Sequence, residues 1–390
     1  MLGLLSGFNP ILFREIGKCK QLMLRPRCEI QTRAPRSRKD PRQIPDDTSI
    51  FFDSLHHSRN NSDFNEAGQR IARLRRAGED WALGELAEPE GVRFLDDMYA
   101  DWQSRMLANP EYSMEDLRAL FEGWHKPTVE PENVRYKSGT VHGVPVIVAT
   151  GPEDNGDVVI YCHGGGFCVG SADSRRKLGG HLAKQLKASV IIMDYRLAPE
   201  HPFPAAIEDS VAVYQTLRAE MSPERRIVMA GDSAGGNLAI ATALKLRELG
   251  APSPAGIIAF SPWLDMETSG ETIETKSGTD CLVNRGTLEN MAAIYLAGAS
   301  PTDPLANPLK ADLAGLPPVY VNAGSSEVLL SDTTRFAEAA IASGVDVTVS
   351  VVEGMQHVFP VLAGRAPIVD DEIAKVANWY QQLATIPCAA

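Results

Sequence analysis

Along this chain the apolar residues follow one spacing at first and an alternation of two spacings afterwards. Before about residue 128 they recur three and four apart: Phe64, Ala67, Ile71 and Leu74; then Phe94, Met98 and Trp102; then Met114, Leu117, Leu120, Phe121 and Trp124. Each stripe covers one face of a helix, and such a face packs against something. From residue 134 the pattern shortens to runs of five to seven, rich in Val and Ile. A hairpin is expected from 134–138 and 144–149 around His142-Gly143. Strands are expected at 158–162, 189–193, 226–230, 256–260, 318–322 and 346–352. Helices are expected at 207–220, 237–249 with Gly250 as its stop, 287–297, 333–343 and 368–383. Continuous apolar strands alternating with helices imply an α/β fold, a mostly parallel central sheet with helices on both faces.

Two strand ends carry the chemistry. The strand at 226–230 runs into Gly231-Asp232-Ser233-Ala234-Gly235 and then into a helix. A serine between glycines at such a turn can be held in an unfavourable backbone conformation with its hydroxyl presented, as a nucleophile requires. The pentapeptide alone is weak, since a glycine-rich turn reads the same way. The strand at 158–162 ends in His163-Gly164-Gly165-Gly166-Phe167. When a serine oxygen attacks an ester carbonyl, the carbonyl oxygen becomes an anion, and backbone N–H groups already aimed at it stabilise the transition state without reorganising. A glycine loop of this kind supplies such donors together with the residue after the nucleophile, here Ala234.

A serine nucleophile needs a base, and the base an orienting acid. Of eight histidines only His357 follows Ser233, on the loop leaving the strand at 346–352, and imidazole titrates near neutrality. The acid is expected after the strand at 318–322, where two carboxylates compete. Glu327 is favoured because it lies nearer the strand's carboxyl end. Asp332 is equally explained as the N-cap of a helix at 333–343.

With these residues in hand the chain resembles the hormone-sensitive-lipase group of α/β-hydrolases, bacterial-type esterases and lipases that include some lactone hydrolases. The resemblance rests on His163-Gly164-Gly165-Gly166-Phe167, on the run from Asp194-Tyr195-Arg196 through Glu200-His201-Pro202 to Ala206, on Gly231-Asp232-Ser233-Ala234-Gly235-Gly236-Asn237, on Ser261-Pro262-Trp263 and on the His357 segment. It spans roughly residues 130 to 385. It implies an α/β-hydrolase fold with an N-terminal helical cap over the site, and names Gly165 and Gly166 as oxyanion donors beside Ala234, with Gly164 shaping the turn. Many relatives carry an Asp-Pro-Leu-Arg-Asp type segment at the acid. Here it reads Glu327-Val328-Leu329-Leu330-Ser331, so Glu327 matches the acid and Ser331 replaces the second aspartate.

The expected organisation is an extension at 1–60, a helical cap region at 61–130 and a catalytic domain at 131–390, with 264–315 adding a second cap wall. Pocket contacts are expected at Phe167, Trp263, Tyr295 and Val358. Asp194, Tyr195, Arg196 and Glu200 read as structural, and Asp232 as a brace for the elbow. The expected reaction is two-step hydrolysis of short- to medium-chain carboxylic esters, with lactone hydrolysis by the same residues as the alternative. A catalytically inactive ligand receptor is the rival from another class; retention of serine, histidine, acid and glycine loop argues against it.

Charge and cysteines bound the partners. The net charge of −12 is uneven: residues 1–44 hold ten Lys or Arg against three Asp or Glu, leaving 28 against 47 in residues 45–390. So acidic a body repels nucleic acid and anionic membrane surfaces. No run of eighteen apolar residues occurs, so no membrane span is expected. The substrate is expected to be a small-molecule ester or lactone, and a homodimer is open. The cysteines at 19, 28, 162, 168, 281 and 388 show no paired spacing, although Cys162 and Cys168 flank the glycine loop closely enough for a disulfide. Reduced thiols and a cytoplasmic location are expected. No Cys/His spacing suggests zinc and no G-x-G-x-x-G follows a strand, so neither metal nor cofactor is implied. Residues 14–42 are Arg-rich and broken by Pro26, Pro35 and Pro41. They read as a disordered extension, a start placed too far upstream, or an organellar presequence.

Overall fold

The computed structural model describes residues 91–109 and 112–383. The N-terminal extension, the Phe64 to Leu74 stripe and Cys19, Cys28 and Cys388 lie outside them. Eight strands form one sheet: β1 (Arg135–Val141), β2 (Val144–Thr150), β3 (Val158–Cys162), β4 (Ser189–Met193), β5 (Ile227–Asp232), β6 (Gly256–Phe260), β7 (Val319–Gly324) and β8 (Val347–Val352). Their order is β1-β2-β4-β3-β5-β6-β7-β8. β1 pairs antiparallel with β2 and β2 with β4; every other pair is parallel. The β1–β2 turn falls on His142 and Gly143, both with positive φ, as a tight two-residue hairpin requires.

Strands β3, β5, β6 and β7 are buried along their whole length, which explains their unbroken apolar runs. The chain leaves β3 for β4 on one side and returns past it to β5 on the other. That reversal makes the carboxyl ends of β3 and β5 the topological switch point, where open α/β sheets leave a crevice. The glycine loop follows β3 and Ser233 follows β5.

Among the described residues the α-helices are α1 (Arg93–Ala108), α2 (Met114–Phe121), α3 (Ala172–Leu186), α4 (Ala205–Glu220), α5 (Ala234–Glu248), α6 (Thr272–Thr275), α7 (Arg285–Leu296), α8 (Leu330–Ala342) and α9 (Pro367–Gln382). Three departures from expectation have physical causes. In α1 the buried stripe is Leu95, Tyr99 and Trp102, continuing from Val92, while Phe94 is 39% exposed with the Arg365 guanidinium over its ring. α3 has no counterpart among the expected helices, because Gly179 and Gly180 interrupt its pattern and charged Arg175 lies on its buried face. α8 begins at Leu330, so Asp332 sits inside the first turn instead of capping it; its carboxylate is taken up by the N–H groups of Leu264 and Asp265.

Candidate active site

Ser233 sits at φ 53° and ψ −121°, a conformation costly for any residue with a Cβ. The surroundings impose it. Its N–H donates to the Phe260 carbonyl of β6, and its own carbonyl accepts from Trp263. α5 must also start at once and close against β3: a Cβ on Gly235 would overlap the Cys162 carbonyl oxygen. Hence α5 begins at Ala234, three residues earlier than the sequence suggested, since the glycines that look like helix breakers are what lets the helix approach the sheet.

Asp232 is buried beneath this turn. Its Oδ1 accepts from the Tyr161 hydroxyl at 2.8 Å and from Arg175 Nε at 3.0 Å, and its Oδ2 from Arg175 Nη2 at 2.7 Å. The Arg175 guanidinium in turn lies 3.9 Å over the Trp124 ring. Nothing in the local sequence around Arg175 announced this; its partner lies 57 residues away.

His357 meets both of its expected partners. Its Nε2 lies 3.0 Å from Ser233 Oγ and its Nδ1 2.9 Å from Glu327 Oε2. A carboxylate only accepts, so Nδ1 carries the proton and Nε2 is free to accept from the serine hydroxyl. The backbone around the ring is pinned on two sides. Ser261 Oγ accepts the N–H of Val358 at 3.0 Å, and the Tyr99 hydroxyl of α1 donates to the His357 carbonyl at 2.9 Å, itself accepting from Trp124 Nε1. Tyr99 is not among the residues of the expected stripe, Phe94, Met98 and Trp102, and nothing in the local pattern pointed to this role. The imidazole bonds Glu327, whereas the Asp332 carboxylate accepts the N–H groups of Leu264 and Asp265, and Ser331 bonds with Thr272 instead of supporting Glu327.

Electrostatically, burial alone would disfavour a charged His357. The hydrogen bond and charge of Glu327 outweigh it, with Asp280 and Asp232 adding to the effect, so the imidazole is raised above its ordinary 6.5. Burial pushes Asp332 up to about 7 despite its two backbone donors.

In the glycine loop Gly165 and Gly166 both have positive φ. A Cβ on Gly166 would strike Met291 Sδ, so α7 lies directly on this loop. The N–H of Ala234, first in α5, has no acceptor within the helix. Of the expected pocket residues, Phe167, Trp263 and Tyr295 form one aromatic cluster. Phe167 stacks on Tyr295 at 3.8 Å and 6°, with Trp263 6.4 Å from Phe167. All three are 1% exposed, and Val358 is wholly buried beside His357. The loop is also braced from below. The Tyr195 hydroxyl donates to the His163 carbonyl at 2.7 Å, Asp194 accepts the Ala172 N–H, Arg196 pairs with Asp209, and Glu200 pairs with Arg118 of α2. Cys162 and Cys168 are separate buried thiols, which burial pushes up to about 12.

Comparison with known proteins agrees with this architecture. The family described as alpha/beta hydrolase fold matches residues 159–361. An acetyl-hydrolase of Streptomyces hygroscopicus is 38% identical over 302 residues, covering 72% of this chain and 98% of that protein. An esterase of Acinetobacter venetianus is 36% identical over 58% of this chain and 75% of its own length. Among solved structures, an esterase from the bacterial hormone-sensitive lipase family superposes with a TM-score of 0.73 at 36% identity, covering 77% of this chain and all of that one. No helix among the described residues is long and apolar enough to cross a membrane. The chain belongs to the alpha/beta hydrolase fold family, among its bacterial hormone-sensitive-lipase-type esterases, and is a carboxylic-ester hydrolase.

Proposed function

We propose that the chain cleaves carboxylic esters of short- to medium-chain acyl groups through an acyl-enzyme on Ser233. The observation that carries this reading is the continuous line from Ser233 Oγ to His357 Nε2 at 3.0 Å and from His357 Nδ1 to Glu327 Oε2 at 2.9 Å. Ser233 Oγ attacks the ester carbonyl carbon as its proton passes to His357 Nε2. The carbonyl oxygen takes the negative charge and is met by the N–H groups of Gly165, Gly166 and Ala234. His357 returns the proton to the leaving alcohol oxygen, and the carbon–oxygen bond breaks. Water, deprotonated by the same nitrogen, then attacks the acyl carbon; the carbon–Oγ bond breaks, the proton on Nε2 passes to Ser233 Oγ, and the acid is released. Glu327 keeps the proton on Nδ1 and stabilises the imidazolium.

The acyl group is placed beside the glycine loop next to Met291, with Phe167, Trp263, Tyr295 and Val358, each at most 1% exposed, packed behind that position. α1 and the 264–315 segment act as the cap, because Tyr99 and Met291 reach the His357 and Gly166 backbones from these elements. The resemblance to an acetyl-hydrolase supports the short end of the acyl range. The test is a series of p-nitrophenyl esters of increasing acyl length plus several lactones, run on wild type and on Ser233→Ala. Ester turnover should fall at least about a thousandfold in the variant. Turnover undiminished in Ser233→Ala would overturn the mechanism, and faster turnover of lactones than of any linear ester would replace the substrate class.

A further inference from the structure

The segment between α6 and α7 touches both loops that carry the proposed acid and base. Asp280 Oδ1 accepts the N–H groups of Leu282 at 2.9 Å and Val283 at 2.7 Å, folding the segment around its own carboxylate. Its other oxygen reaches out of that turn and accepts the N–H of Val328, the residue after Glu327, at 2.9 Å. The residue before Glu327 is held as well, since Thr279 Oγ1 donates to the Ser326 carbonyl at 2.9 Å. On the other side stands Gln356, the neighbour of His357. Its Oε1 accepts the Cys281 N–H at 2.9 Å, and its Nε2 donates to the Thr279 carbonyl at 2.9 Å. One short stretch, Thr279 to Cys281, therefore binds Ser326 and Val328 on either side of Glu327 and Gln356 beside His357.

Asp280 is the charged member of this stretch. It is buried, its acceptors are filled by backbone N–H groups, and the reaction proposed above does not use it. The geometry points to Asp280 as a positioning residue for the Glu327–His357 pair, fixing the acid loop through Val328 while its neighbours Thr279 and Cys281 tie that loop to Gln356 beside His357. The inference rests on the proposed reaction, in which His357 must carry a proton between the attacking and leaving oxygens.

The groups facing the imidazole come from three elements. Glu327 lies after β7, Asp232 ends β5 and Asp280 belongs to the α6–α7 segment; all three favour the imidazolium. The nearby cation Arg175 is bonded to Asp232, and burial keeps Tyr99, on α1, neutral by raising its pKa well above the ordinary value. Burial pushes Asp280 itself up to about 6, with His357 and the three backbone donors opposing that rise. At pH 8 it is therefore ionised.

Two variants separate its charge from its tether. Asp280→Asn keeps the size and one acceptor oxygen, but removes the charge and the acceptor for Val328. Val328→Pro keeps Asp280 and removes the N–H. Val328 is the second residue of the turn closed by Leu330 N–H on the Glu327 carbonyl, a position proline favours. kcat and KM for a p-nitrophenyl ester are measured across the pH range, with circular dichroism and the thermal midpoint as folding controls. In Asp280→Asn the plateau kcat should fall about tenfold with KM nearly unchanged. The acid limb should move to lower pH, because the imidazolium has lost a nearby anion. In Val328→Pro the plateau should fall with the acid limb unmoved.

Plateau rates unchanged in both variants would overturn the proposal. So would a fall in Asp280→Asn with no movement of the acid limb, because a merely structural turn predicts that pattern. If Asp280→Asn does not fold, Val328→Pro decides: lower kcat at constant KM supports the tether, and unchanged kcat refutes it. Ser233→Ala is run alongside. A wild-type rate that survives in it marks failure of the proposed reaction, not of the role of Asp280.

Discussion

Replacing Arg175 by methionine is the severest test of how the elbow is held. The wild-type guanidinium and the Asp232 carboxylate are both 0% exposed and bonded through two N–H groups, at 2.7 and 3.0 Å. Methionine keeps most of the side-chain stem but leaves the carboxylate buried with the Tyr161 hydroxyl as its remaining side-chain donor. The cost is not the Coulomb energy of the pair, since both charges have already been taken out of water. Breaking a buried pair by removing one partner typically costs about 3–5 kcal/mol, because the other charge is stranded. At about 2 °C per kcal/mol for a chain of this size, the thermal midpoint should fall by about 6–10 °C. Differential scanning fluorimetry reads this directly. Adding Asp232→Asn should recover part of the loss, because the stranded charge is gone, so the two changes should be non-additive. A midpoint within about 2 °C of wild type, or losses in the double variant that simply add, would refute the reasoning.

Other outcomes follow from the same geometry. Glu327→Gln should lower kcat by at least about a hundredfold, since the proton on His357 Nδ1 loses its carboxylate acceptor, whereas Asp332→Asn should act mainly on stability; a larger kcat loss in Asp332→Asn would reverse the assignment of the acid. The acid limb of kcat/KM should lie above the ordinary histidine value of 6.5, because reaction needs neutral imidazole and the raised His357 loses that form at higher pH than free histidine does; a limb below 6.5 contradicts the charge arrangement. Met291→Ala removes the sulfur that lies against Gly166 and should shift preference toward longer acyl chains, raising the octanoate-to-butyrate ratio of kcat/KM by about tenfold; an unchanged ratio would mean that Met291 does not border the acyl pocket.

What could be read from the sequence was the chemistry written in consecutive residues. The turn at Ser233 and the loop at His163 each declare themselves within five positions, because a strained turn and a backbone donor loop both need glycine at fixed offsets. His357 was proposed by elimination and Glu327 by its closeness to a strand end, and the fold brings the two within hydrogen-bond distance of each other and His357 within reach of Ser233. Asp332 marks where local reading fails: an aspartate before a helical run looks like a cap, yet the buried amides of Leu264 and Asp265, far off in sequence, claim its carboxylate.

The supporting residues were illegible for a related reason. Tyr99 bonds a carbonyl 258 positions away, and Asp280 an amide 48 positions away, in segments whose own patterns are ordinary. α3 was hidden because tertiary packing inverts the rules used to find helices. A Cβ on Gly179 would collide with Ile192, so glycine stands there to let the helix approach the sheet, and the charge at Arg175 points inward because Asp232 waits for it. The residues proposed to react come from loops that their own composition shapes. The residues that aim them make contacts that exist only once the sheet has brought its carboxyl ends together. Substitutions in the second group should therefore disturb rate and stability together, while Ser233→Ala and Glu327→Gln should remove rate and leave the fold intact.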